Sequence, residues 1–221
     1  MNCSNRNWRI RTPPNTRTNI GRRMLFEKTH IFLIDPTVIQ QSLGSGNEAA
    51  LGNAQTILSK SELPEEVQAH VLDTLNSWLQ KEPTQQNLDL IGTLALITLV
   101  GSLADPMDLE SLEELTNVHG IFQNLTELME YNAMTHLFGN PPAPFQTVDT
   151  TGTTLDVGHL DTVEVENFYD ELVHIEITEE DLDAFSDEHG FDLWEELLAP
   201  IQEVLEIAMD RRQDVIFVTA D

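Results

Sequence analysis

The chain reads as an α+β domain, with a helical, bundle-like subdomain packed on or inserted into a small mixed sheet. Three observations carry that expectation. Short apolar runs near the two ends of the chain, 30–34 and 215–218, have the length and residue types of buried strands. Residues 62–138 repeat apolar side chains at helical spacing, with short joints marked by Pro or Gly. Strand-like and helix-like stretches alternate too irregularly for a doubly wound sheet, and no internal repeat is present. The simplest arrangement brings the two terminal strands into one sheet.

The most apolar stretch is 87–104, with the single charge Asp89. A membrane span needs about 20 mostly apolar residues. This run is interrupted by Gly92, Thr93, Thr98, Gly101 and Ser102, and Pro83 and Pro106 bound it. A helix apolar on nearly every face belongs inside a helical layer. Leu94, Leu96, Ile97, Leu99 and Val100 are therefore expected to be core residues, and no membrane role is expected. Thr84 is the expected N-cap.

The other elements follow in order. His30–Ile34 is a strand ended by Asp35-Pro36. Residues 37–43 suit a helical turn, and 43–47, with two glycines, a flexible loop. That loop lacks the Gly-Lys-Ser/Thr ending of a phosphate-binding loop. Residues 62–81 form an amphipathic helix: Leu63, Val67, Val71, Leu75, Trp78 and Leu79 share a face, and Glu65 and Glu66 sit where the helix dipole favours acids. Asp105-Pro106 has the form of an N-cap followed by Pro, which predicts helices over 107–118 and 121–138. Residues 147–158 suit a loop or edge hairpin. The alternation in 162–166, and again at Val173, Ile175 and Ile177, predicts two half-buried strands. Thr178 starts a short helix. Asp192 and Glu195 have the spacing of a capping box, opening a helix that runs to about Arg212, with a kink or break at Pro200.

Charge sets the regime. The chain has 38 acidic and 11 basic side chains, a formal charge of −27. Seven of the bases lie in residues 1–28, with one acid, so that segment is +6 and residues 29–221 are −33. No Lys or Arg occurs between Lys81 and Arg211. Residues 1–23 read as a basic flexible tail, and 24–221 as a single acidic domain with the helical subdomain 62–138. Arg22-Arg23-Met24-Leu25-Phe26 has the form of a twin-arginine signal, but Glu27, Lys28, His30 and Asp35 replace the clean apolar stretch that should follow.

Self-repulsion at this charge opposes a compact state. High salt relieves it, since the screening length falls to about 3 Å at 1 M. The dispersed acids and the three lysines are expected of a protein from a molar-salt cytoplasm, or of a component of an assembled particle. A protein partner or self-association is expected, with Arg6, Arg9, Arg11, Arg17, Arg22 and Arg23 as the docking residues. The same tail could contact nucleic acid. The acidic body could instead regulate nucleic acid or mimic a phosphate backbone.

Motifs for chemistry are absent. Cys3 is the only cysteine, which excludes an internal disulfide and a multi-thiolate metal site. None of the seven histidines stands in a His-Glu-x-x-His setting, and no Gly-x-Ser-x-Gly or dinucleotide fingerprint occurs. The nearest grouping is Asp156, His159 and Asp161, weak candidates for a metal, with Asp187 and His189 further on. Asp149, Asp156 and Asp161 could hold monovalent or divalent cations loosely, without the spacing of a calcium loop. No catalytic residue and no bound cofactor are expected, so a metal-dependent enzyme is the least favoured reading.

Overall fold

The apolar runs near the two ends of the chain pair with each other. The computed structural model describes residues 29–35, 37–81, 86–107, 140–147, 155–175, 177–190 and 192–220. Strand β1 (His30–Ile34) lies antiparallel to β6 (Asp214–Ala220), from His30 opposite Val218 to Ile34 opposite Asp214. Strand β3 (Asp105–Met107) adds to the free side of β1, and β5 (Leu155–Leu160) to that of β6, giving the order β3-β1-β6-β5. All pairs in this sheet are antiparallel. The parallel pairing is separate, between β2 (Gln86–Leu88) and β4 (Phe145–Thr147).

Side chains alternate across a strand, and here both faces are covered. Phe32, Ile34, Val157, Ile216 and Val218 join one core cluster. Ile31, Leu33, Leu160, Val215 and Phe217 join another. This is why β1 and β6 read as continuous apolar runs rather than alternating ones. The fold is α+β, with helices on both faces of a small sheet.

The first layer holds α1 (Val38–Ser42), α2 (Glu48–Leu58), α3 (Glu65–Gln80) and α4 (Leu90–Leu103). Helix α4 is buried without interruption from Gly92 to Val100. Its expected core residues, Leu94, Leu96, Ile97, Leu99 and Val100, are at most 3% exposed. The Thr98 hydroxyl is satisfied inside the core by donating to the Leu94 carbonyl at 2.7 Å. Its N-cap is Asp89, which accepts from the Gly92 N–H at 2.8 Å, so the cap lies closer than Thr84. Helix α2 has no strong sequence signal of its own. Asn47 starts it, accepting from the Ala50 N–H at 3.0 Å, so the helical layer begins well before residue 62. Before α1, Asp35 accepts the Thr37 N–H and hydroxyl, and these bonds hold its carboxyl below the ordinary carboxylate range.

The second layer holds α5 (Thr162–His174), α6 (Glu179–His189), a π-helical turn (Leu193–Leu198) and α7 (Ala199–Arg211). In the π turn the Ala199 N–H donates to the Trp194 carbonyl, a widened step immediately before Pro200. The break expected at that proline thus takes the form of a change of helical register. Asp192 caps the turn, accepting from the Glu195 N–H at 2.8 Å. Arg212 ends α7 at φ 54, and Gln213 donates to the Ala208 carbonyl at 2.9 Å, closing the last turn.

Two expectations fail. Among the described residues, 162–166, 173–175 and 177 do not form strands. Asp161 makes a full capping box with Glu164 and commits 162–174 to helix. The helix buries Val165, Phe168 and Leu172, and leaves Val163 61% and Val173 47% exposed, where a strand would have buried them with their alternating partners. Asp105-Pro106 starts a strand rather than a helix. Pro106 lies opposite Phe32 on an edge strand, where a missing N–H is tolerated. Of the predicted helix 107–118, Met107 ends β3, and the rest lies outside the described residues, as do 121–138 and the tail 1–23.

Candidate functional site

One pair of side chains stands out for chemistry. His159 lies on β5 opposite Ile216, and Asp214 is the first residue of β6. Position 214 lies two residues from 216, so the two side chains meet diagonally on the face that carries Ile34 and Ile216. His159 Nε2 is 2.9 Å from Asp214 Oδ2, and the side chains are 20% and 6% exposed. Asp214 opposes Ile34 on its other side, so a carboxylate is held among apolar strand residues.

With Asp214 ionised, its carboxylate only accepts hydrogen bonds, and Nε2 then carries the hydrogen. In neutral His159 the lone pair therefore lies on Nδ1, on a ring that reaches solvent. Asp214 Oδ1 and the neighbouring Gln213 Oε1 are buried acceptors without a protein hydrogen-bond partner. The His159 carbonyl accepts from Asn140 Nδ2 at 3.4 Å, tying the strand to the segment before β4. Such a pair can act as an oriented base or present one nitrogen to a ligand. It can also act as a cross-strand staple, since a buried carboxylate needs a partner.

The three weak metal candidates do not come together. Asp156 and His159 are an odd number of residues apart on β5, so the strand directs them to opposite faces. Asp156 accepts from the Val157 N–H at 2.8 Å. Asp161 caps α5, accepting from the Val163 and Glu164 N–H groups. Among the described residues no group of three His, Cys, Asp or Glu is placed to hold a metal ion. Asp187 is exposed on α6, while Asp149 and the six tail arginines lie outside the described residues.

Other histidines have local contacts. His174 Nδ1 is 2.7 Å from the Asp170 carbonyl one turn back. His30 stacks obliquely on Phe32, with ring centroids 6.2 Å apart. Sequence reasoning picked out His159 but missed Asp214. Its only signal was an acid at the head of an apolar strand, which 37 other acids obscure.

Among the described residues, no helix is long and apolar enough to cross a membrane. Helix α4 has 14 residues, about 21 Å, against a hydrocarbon core of about 30 Å. No protein-family model, curated protein or solved structure matches the chain.

Proposed function

We propose that the chain is a structural or protein-interaction subunit built for high salt, which binds partners rather than turning over a substrate. The observation that supports this is the uncompensated acidic surface. Glu166, Asp170, Glu195, Glu196, Glu203 and Glu206 project to solvent from the second helical layer. Lys60, Lys81, Arg211 and Arg212 are the bases of the described segments, and none of them forms an ion pair with a described carboxylate. Seven of the 11 bases lie instead in residues 1–28. A basic arm and an acidic body on one chain favour docking between copies or onto a partner. Molar salt confines that attraction to contact range and removes the body's self-repulsion.

The test is native mass and thermal midpoint for the full chain and for a chain starting at Met24, each at 0.15 and 2 M KCl. The expected result is a midpoint that climbs with KCl in both, and assembly or retained partners in the full chain only. A midpoint already high and flat below 0.2 M KCl, with single-subunit mass throughout, would sink the reading. Retained nucleic acid would shift the arm's role to nucleic-acid binding. A second reading, an enzyme using His159 as base or metal ligand, draws on the His159–Asp214 pair. Titration with Zn²⁺, followed by the His159 ring resonances, tests it.

A further inference from the structure

Strand β5 ends the described sheet, and an edge strand is ordinarily a template for another chain. Its outward backbone groups can be identified. In an antiparallel pair, successive residues direct their N–H and C=O alternately toward the partner and away from it. The Val157 N–H donates to Asp156 Oδ1 at 2.8 Å, and the His159 carbonyl accepts from Asn140 Nδ2 at 3.4 Å. Both residues belong to the same alternate set, with Leu155 and Asp161. That set faces away from β6, while Asp156, Gly158 and Leu160 face it.

Half of the outward groups from Leu155 to Asp161 are occupied. Beyond Val157 and His159, the Asp161 N–H donates to Glu164 Oε2 at 2.9 Å, and the Asp161 carbonyl accepts from the Val165 N–H at 2.8 Å. An incoming strand would need these groups in alternation, and at Val157 and His159 it would have to displace the side chains of Asp156 and Asn140. We infer that the outer edge of β5 is closed to strand addition by Asp156, Asn140 and the Asp161–Glu164 capping box. The inference is independent of the proposed interaction role: copies of the chain do not extend the sheet through β5. Asp156 acts here as an edge guard. Its carboxylate occupies a donor and places a charge beside the edge, which explains an acid inside a six-residue strand.

The experiment uses the full chain in 2 M KCl. Asp156→Ala combined with Asn140→Ala should tighten self-association at least about tenfold by sedimentation. Amide exchange at Val157 and His159 should slow in the associated form. Asp156→Asn, which keeps a side-chain acceptor, should retain the wild-type mass. A double variant with wild-type mass at every concentration overturns the inference. A second arm needs no variant to fold. The peptide Leu-Asp-Val-Gly-His-Leu, a copy of 155–160, is added to the wild-type protein. Unchanged exchange at Val157 and His159 supports closure, and slowed exchange overturns it.

Discussion

The two helical layers bury their apolar side chains in opposite ways. The first is organised around α4, a helix with no charged side chain, buried on nearly every side. The second covers its face of the sheet with amphipathic helices that each turn one side to water. Residues 38–103 carry seven acids and two lysines, whereas 161–211 carry eighteen acids and one arginine. The difference separates two requirements. A core needs matched apolar volume on both sides of the sheet. A charge excess needs solvent-facing positions, and only amphipathic helices supply many of them.

Substitutions in the two layers can break or sharpen that contrast. The largest effect is expected in the first layer. Leu94→Asp places an unpaired charge in a site with no polar partner and should unfold the protein. Ile97→Ala should cost about 2–5 kcal/mol by chemical denaturation, at low and high salt alike. A loss of less than about 1 kcal/mol would mean α4 is packed more loosely than its burial implies.

Next comes the sheet between the layers. His159→Ala leaves the buried Asp214 carboxylate without its partner and should cost about 3 kcal/mol. Asp214→Asn keeps a hydrogen-bonding group there and should cost less. If Asp214→Asn costs nothing measurable, the pair contributes packing only.

A smaller effect is expected where the second layer begins. Asp161→Ala removes the box that makes 162–174 helical and should cost about 1 kcal/mol. The smallest effect separates the layers most directly. Glu203→Lys with Glu206→Lys should stabilise by about 0.5–1 kcal/mol in 0.1 M KCl and by almost nothing in 2 M. Asp73→Lys on α3 should do about half as much per charge reversed. Equal gains in the two layers would show that the acid excess acts as a net charge rather than as a local field.

Much of this fold could be read from residue patterns. The terminal strands, their pairing, the amphipathic α3 and the buried α4 all follow from long, strongly patterned runs. The errors fall on short or weak patterns. Five residues of alternation at 162–166 suit a strand, but Val165, Phe168 and Leu172 also share a helix face, and the Asp161–Glu164 box decides the matter. Asp-Pro begins helices and also suits an edge strand, and β1 supplies the partner that makes 105–107 a strand. The metal candidates were near in sequence, but the pleat directs Asp156 and His159 apart.

The sequence by itself determined the charge regime, the lack of an internal disulfide and which stretches had to be buried, because these depend on composition and local periodicity. The tertiary structure alone decided which side chains meet. Asp214 is 55 residues from His159 and becomes its partner because β5 and β6 pair in one register. A shift of that register by one residue would turn the whole face over and separate them. Both faces of β6 are apolar, so no alternation in the run marks that register, and chemistry at this pair is a property of packing, not of any motif.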